Sequence, residues 1–477
     1  MLNYGELRQQ VDALAGHLQR VCGVKRGDRV ILDMQNSAHW VVACFAILRA
    51  DAVVVPLSPM NIAVELAHYV ADSDAKVAIA GEEVAAHFSG LPVENLIVAG
   101  GKTWNDALAA GHGPGPSFAQ PGDLCMMPYT SGSTGRPKGC MHTHATILHN
   151  VIGSAIWKNV TADSVALATA PFFHVTGLVH SLLALIYAGG SIVIQSRWDP
   201  PAAAQLVERH RCTHWDNVPT MVVDLLSHPK ALEHDLSSLE FIFGGGAAMP
   251  EAIAQKLYDI CGVHYIEGYG MTETISQTHI NPGQRPKKQC LGIPTFDTES
   301  LVIDPESFAV LGPGEQGEIV VRGPQLLVGY WGNEQAYRES WVEIDGKSFF
   351  RTGDLGRVDE DGYFFIADRL KRMINASGFK VWPAEVEAAM YQHPAIQECC
   401  IIASPDERRG ETVKLVAVLK PEAQGKVTAA EIMEWARGQM AAYKIPRKVE
   451  FTDKLPRTAS GKLQWRALQD REFVEDA

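Results

Sequence analysis

The sequence predicts an α/β protein: a large N-terminal domain of parallel α/β subdomains plus a small β-rich subdomain, followed by a small α+β domain at the C-terminus. Three observations carry this. Amphipathic segments alternate with short apolar runs through the first part of the chain, the pattern of parallel sheets covered on both faces. After Gly283 the pattern changes to short strands between Gly- and Pro-bearing turns such as Gly312-Pro313-Gly314. From Asp368 onward a compact tail follows, the size of a small domain. At 477 residues the chain exceeds what one hydrophobic core usually serves, so two or three folding units are expected.

In order, Leu7, Val11, Leu14, Leu18 and Val21 recur at helical spacing behind Asn3, a cap residue. A turn at Gly27–Asp28 leads to a strand at Val30–Leu32, a helix at Trp40–Arg49, and strands at Val53–Leu57, Lys76–Ala80 and Asn95–Val98. The middle continues with strand Ser191–Gln195, helix Pro201–His210, strand Phe241–Phe243 and helix Pro250–Cys261. The β-rich part holds strands at Leu301–Ile303, Glu318–Arg322 and Gly362–Ile366. In the tail, Pro383–Gln392 and Ala429–Met440 read as helices, Ile396–Ala403 and Lys414–Leu419 as strands. No internal repeat or low-complexity tract interrupts this order.

Composition narrows the function. Hydrophobic residues make up 46% and charged residues 20%, an ordinary globular balance. A net charge of −13 repels a phosphate backbone and disfavours nucleic acid as a partner. The nine dispersed cysteines contain no CxxC pair, which gives zinc no support and fits a reducing compartment. The start does not read as a signal peptide, and apolar runs such as Leu178–Ala188 are too short for a membrane span. A cytoplasmic enzyme is expected, with a homodimer left open.

The sharpest local signal is Tyr129-Thr-Ser-Gly-Ser-Thr-Gly-Arg-Pro-Lys-Gly139. Its glycines permit close approach of backbone N–H groups to an anion, its four hydroxyl residues add donors, and Lys138 adds a point charge. It is not a Walker A loop, because Pro137 precedes the lysine and Gly139 follows it. The stretch resembles the signature loop of the adenylate-forming superfamily, which includes acyl- and aryl-CoA synthetases, luciferases and peptide-synthetase adenylation domains. The resemblance implies that Thr130, Ser131, Gly132, Ser133, Thr134, Gly135 and Lys138 embrace the β- and γ-phosphates of ATP. It also places Thr130 beside Mg²⁺.

Four further stretches follow in the family's order. In Gly268-Tyr-Gly-Met-Thr-Glu-Thr274 a carboxylate near a triphosphate makes sense as a metal ligand. The resemblance implies Glu273 for Mg²⁺, Thr272 for the α-phosphate and Tyr269, with Gly270 and Met271 beside it, for adenine. Upstream, Gly245, Gly246 and Ala247 lie in a small-residue loop similar to one that packs on adenine. In Arg351-Thr-Gly-Asp-Leu355, which alone would read as a solvated turn, Asp354 matches the ribose-binding carboxylate. In Asp368–Lys380, Arg369 matches a second ribose contact, Lys371 the hinge of a mobile C-terminal domain, and Gly378 the segment lining the pantetheine tunnel. The last stretch is Pro456-Arg-Thr-Ala-Ser-Gly-Lys462, whose Lys462 matches the adenylation lysine between carboxylate and α-phosphate. The implied domains are 1–369 and 370–477.

The resemblance covers Tyr4 to about Leu468, although family members often carry a few dozen more N-terminal residues. It implies an acid–CoA ligase using ATP, Mg²⁺ and coenzyme A through an acyl-adenylate. Pro171–Gly177 lacks the Asp that amino-acid-activating domains use for an α-ammonium, and His174 matches the His beside the carboxylate in acyl- and aryl-CoA ligases. On residue type alone, His174 also reads as a core histidine. Gly270 stands where acetate-type synthetases place a pocket-closing Trp. Phe172, Phe173, Val175, Trp215, Val218, Met221 and Met271 are the expected pocket walls. They lean towards a medium- or long-chain fatty acid, with a benzoate- or cinnamate-type aryl acid as the alternative. A carrier-loading acyl-AMP ligase and an inactive scaffold are the rival classes.

Overall fold

The computed structural model describes residues 1–130, 137–246, 249–369, 372–376, 379–406, 410–457 and 463–475, with the backbone alone at 368–369, 379–380 and 474–475. Contacts divide the chain into two compact units. The first comprises Met1–Glu299 and Arg322–Trp341, and the second Ser300–Val321 and Val342–Ala477. The chain therefore leaves the first unit after Glu299 and comes back to it for one short excursion.

The first unit contains two sheets. One runs, in spatial order, Gly329–Tyr330, Lys138–Thr143, Leu124–Met126, Val53–Leu57, Arg29–Asp33, Val77–Ala80 and Asn95–Val98, with Tyr129–Thr130 paired to Lys138–Thr143. Its central strands are parallel. Strand alternation shows why both faces are covered. Val30 and Leu32 join a core with Leu14 and Leu18 of helix Tyr4–Arg20 and with Trp40 and Ile47 of helix Ala38–Arg49. Ile31, between them, joins a different core with Leu66 and Val70 of helix Ala63–Ser73. The opening helix starts where Asn3 predicts. Glu6 N–H donates to Asn3 Oδ1 at 2.9 Å and Asn3 N–H donates to Glu6 Oε2 at 2.9 Å, a reciprocal capping box.

The second sheet runs Ile293–Pro294, Ser276–Ile280, Tyr265–Met271, Phe241–Gly245, His214–Asn217, Val165–Ala168 and Ser191–Ile194. It is parallel except where Ser276–Ile280 turns back against its neighbours. The apolar run Leu178–Ala188 is helical in two registers, a π-helix over Gly177–Leu183 continued by an α-helix over Ala184–Ala188. Among the described residues no helix is long and apolar enough to cross a membrane.

The second unit also has two sheets. The β-rich one is ordered Glu299–Ile303, Gly317–Arg322, Lys347–Val358 and Trp341–Ile344, with Phe364–Arg369 on Lys347–Val358. The other is ordered Phe379–Val381, Ile374–Ala376, Gly410–Leu419 and Ile396–Asp406, with Lys448–Phe451 on Gly410–Leu419. Val386 and Met390 of helix Pro383–Met390 and Ile432 and Ala436 of helix Ala429–Arg437 pack on this sheet with Ile401 and Leu415.

Candidate functional site

Strand Lys138–Thr143 organises the site in the first unit. Tyr129–Thr130 pairs with it antiparallel, placing Thr130 opposite Lys138 and Tyr129 opposite Gly139. The foot of the loop is anchored by Tyr129, whose hydroxyl donates to Asp72 Oδ2 at 2.6 Å and whose ring packs edge-on against Tyr69. Ser131, Gly132, Ser133, Thr134 and Gly135 lie outside the described residues. At the other end of the loop, Lys138 Nζ lies 4.2 Å from the ring centroid of Tyr330.

The segment Gly268–Thr274 is a strand end and a tight turn. Tyr265–Met271 is extended, Thr272–Thr274 forms a single 3₁₀ turn, and Thr274 Oγ1 closes it by accepting from Met271 N–H at 3.0 Å. The backbone then passes through Ile275 at φ 40° and Ser276 at φ 97°, both in the left-handed region that L-residues seldom occupy. This reversal brings Ser276–Ile280 back so closely that a Cβ at Gly270 would lie 1.7 Å from Ser276 O. Gly270 is thus demanded by the strand pairing itself, a reason separate from the size of any pocket. Tyr269 is buried, its ring 5.7 Å from that of His279. Gly245 pairs with Gly268 across the neighbouring strands, Gly246 follows at φ 83°, and Ala247 lies outside the described residues.

Two residues tie this turn to strand Lys138–Thr143. His142 Nε2–H donates to Thr272 O at 2.8 Å; burial lowers the imidazole pKa to about 4, which keeps it neutral. Glu273 Oε1 accepts from the Tyr330 hydroxyl at 3.0 Å. Tyr129–Thr130 also packs against the Thr272–Thr274 turn. A carboxylate and a hydroxyl on contacting segments are hard oxygen donors of the kind Mg²⁺ takes, so the residues present fit that ion.

His174 is half-buried, and its Nδ1 accepts from Thr176 N–H at 3.3 Å, which leaves Nε2 to carry the proton of the neutral ring. The π-helix begins three residues on, at Gly177, where a Cβ would lie 2.2 Å from Pro171 O. Of the expected pocket walls, Phe172, Val175 and Trp215 are buried, and Phe173, Val218, Met221 and Met271 are half-buried. Trp215 Nε1–H donates to Thr169 Oγ1 at 2.9 Å. The wider turn of the π-helix sets His180 between Ser154 Oγ, 2.8 Å from Nδ1, and Ser276 Oγ, 3.0 Å from Nε2.

In the second unit, Arg351–Leu355 forms part of the twelve-residue strand Lys347–Val358 and is no solvated turn. Arg351 clamps the buried Glu318 carboxylate through Nε and Nη2 at 3.0 and 2.7 Å, and Gly353 N–H donates to the other oxygen of Glu318 at 3.1 Å. Asp354 is only 2% exposed and sits directly opposite Arg369 in the pairing with Phe364–Arg369. The two positions matched to ribose are therefore cross-strand neighbours. Lys371, Gly378 and Lys462 lie outside the described residues.

Motif reading did not single out Tyr330, His142 or Asn150, which hold the turn carrying Thr272 and Glu273, Asn150 by donating from Nδ2 to Thr274 O at 2.8 Å. Each acts from a segment distant in sequence, and no local spacing marks it.

Comparison with known proteins identifies the family. The family model of the AMP-binding enzyme matches residues 1–331, and that of the AMP-binding enzyme C-terminal domain matches residues 385–462. The chain is similar to a feruloyl-CoA synthase of Amycolatopsis sp, 39% identical over 469 residues, covering 97% of this chain and 92% of that protein. It is also similar to a long-chain-fatty-acid–CoA ligase of Bacillus subtilis (strain 168), 32% identical over 512 residues, covering 99% and 90%. Among solved structures, ATP-bound MatB from Rhodopseudomonas palustris superposes with a TM-score of 0.90 at 29% identity, covering 98% of this chain and 93% of that one. The chain belongs to the AMP-binding enzyme family of the adenylate-forming superfamily, and it is an AMP-forming acid–thiol ligase.

Proposed function

We propose that this enzyme joins an aryl acid of the feruloyl type to coenzyme A at the expense of ATP. The carboxylate attacks the α-phosphorus of ATP, pyrophosphate leaves, and the CoA thiol then attacks the acyl-adenylate carbonyl, releasing AMP. The reading rests chiefly on likeness to a feruloyl-CoA synthase along nearly the whole chain. Lys138, Thr272 and Lys462 are the proposed electrophilic groups, and His174 the residue beside the carboxylate. Thr130 and Glu273 would hold Mg²⁺, which when bound supplies charge neutralisation on the phosphates. Asp354 and Arg369 are proposed for the ribose, and Tyr269 with Gly245–Ala247 for adenine. The domain beginning at residue 370 is proposed to swing about Lys371, so that Gly378 replaces Lys462 for the second half-reaction.

The aryl reading takes precedence because this chain is more similar to the feruloyl-CoA synthase than to the long-chain ligase, 39% against 32% identical. A fatty acid is the second reading, favoured by Phe172, Val175 and Trp215 and by likeness to a long-chain ligase. Pyrophosphate release, with and without CoA, across acetate to palmitate, benzoate, cinnamate and ferulate tests both. A CoA-dependent optimum at ferulate or cinnamate supports the aryl reading. An optimum rising with chain length, about 0.8 kcal/mol per buried CH₂, replaces it with the fatty-acid reading. No release with any of these acids overturns both.

A further inference from the structure

Tyr330 lies on the short stretch with which the chain returns to the first unit, and that stretch is laced to the phosphate-loop strand. Leu327 N–H donates to Glu273 O at 2.8 Å, Val328 N–H to Met141 O at 2.9 Å and Trp331 N–H to Gly139 O at 2.8 Å. Trp331 Nε1–H donates to Asp72 O at 2.9 Å, and the Arg29 guanidinium stacks over the Trp331 ring. Tyr330 is 4% exposed within this frame, so its ring has little freedom. Its hydroxyl reaches Glu273 Oε1 at 3.0 Å, while Lys138 Nζ lies 4.2 Å from the centroid of its ring.

We propose that Tyr330 is a positioning residue for the nucleotide step, presetting the Glu273 carboxylate for Mg²⁺ and the Lys138 ammonium for phosphate. The inference rests on the acid–CoA ligase reading and adds a residue to it. A neutral phenol suits the task. Its O–H fixes the orientation of the Glu273 carboxylate without cancelling the negative charge that draws a cation. Its ring face holds Lys138 while leaving other N–H donors of the ammonium for a phosphate. An Arg or Lys in its place would neutralise Glu273.

The test separates the hydroxyl from the ring. Binding of the non-hydrolysable analogue AMP-PNP is measured by calorimetry and by thermal shift, at fixed nucleotide with Mg²⁺ titrated and then without Mg²⁺. Tyr330→Phe loses a hydrogen bond to a charged group while keeping the ring. Its Mg²⁺ midpoint should rise about tenfold, with Mg²⁺-free binding changed less than about twofold. Tyr330→Leu loses both contacts, so it should weaken Mg²⁺-free binding as well. An unchanged Mg²⁺ midpoint in Tyr330→Phe, or equal losses with and without Mg²⁺, overturns the positioning role while the ligase reading stands. Failure of the parent enzyme to bind AMP-PNP under any condition overturns both. A 3-fluorotyrosine label at position 330 gives an independent readout in an otherwise unaltered chain. Its ¹⁹F signal should move when Mg²⁺ is added to the AMP-PNP complex, and a signal that does not move overturns the role.

Discussion

Asn150 holds the backbone of Ile275 in its left-handed conformation: Asn150 Nδ2 donates to Ile275 O at 3.0 Å and to Thr274 O at 2.8 Å. Gln277 Nε2 donates in turn to Asn150 O at 2.8 Å. A β-branched residue at φ 40° is strained, and only surrounding bonds keep it there. Asn150→Ala removes donors from two buried carbonyls. It should cost about 1–3 kcal/mol by urea denaturation and weaken AMP-PNP binding in parallel, since Thr272 and Glu273 sit on the same turn. Asn150→Asp cannot donate and should be at least as damaging. Loss of stability with unchanged nucleotide affinity would show that the turn is not what Asn150 protects.

Lys158 and Asp216 form a fully buried ion pair at 2.6 Å, with Lys158 Nζ also donating to His180 O at 3.1 Å and Ser181 Oγ donating to Asp216 Oδ2 at 3.3 Å. Removing one partner leaves an uncompensated charge in the core. Lys158→Met should therefore destabilise by about 3–5 kcal/mol. Adding Asp216→Asn should restore much of that loss, because the stranded charge is gone. If the double variant is as unstable as the sum of the two single changes, the two charges are energetically uncoupled and the stranded-charge account fails.

Asp33 lies at the end of a central strand with neither carboxylate oxygen hydrogen-bonded among the described residues. Burial and, secondarily, the charge of Glu83 raise its pKa to about 8. The unfolded value is about 3.9, so the folded chain holds a proton that the unfolded chain has released between pH 4 and pH 8. Stability must then fall as pH rises through that window, by up to about 1.4 kcal/mol per pH unit from this group. Asp33→Asn should remove that slope and gain on the parent progressively up to pH 8. Parallel stability curves for the two proteins would exclude it.

How far the sequence could be read depended on whether the signal was local. Asn3 and Glu6 are three residues apart, and strand Val53–Leu57 is one unbroken apolar run, so both were legible. The order of the motifs likewise marked Thr272, Glu273 and Asp354, though not the secondary structure that carries them. The π-helix Gly177–Leu183 was not legible, because an apolar run fits α and π registers alike. Arg351–Leu355 reads as a turn until Glu318, a residue on another strand, is seen to bind Arg351. Tyr330 was invisible for the same reason: it meets Glu273 across 57 residues, after the chain has left the first unit and returned.

Three buried imidazoles make the fold acid-sensitive. Burial lowers the pKa values of His142, His180 and His279 to about 4, 3 and 3, and for His180 the nearby Lys158 charge adds to the effect. Each has an unfolded value near 6.5. Below that pH the unfolded chain takes up protons that the folded chain refuses. The stability these groups contribute is therefore present above about pH 6.5 and is lost as pH falls towards 3–4. Each can add about 1.4 kcal/mol per pH unit to the slope inside its window. His142→Gln is the discriminating variant, since an amide can still donate to Thr272 O but does not titrate. Its urea-derived stability should decline less steeply than the parent's between pH 6.5 and pH 4.5, with AMP-PNP binding largely retained at pH 7.5. An unchanged slope would mean that His142 is protonated without penalty in the folded protein. The neutral donor holding Thr272 would then have to be abandoned.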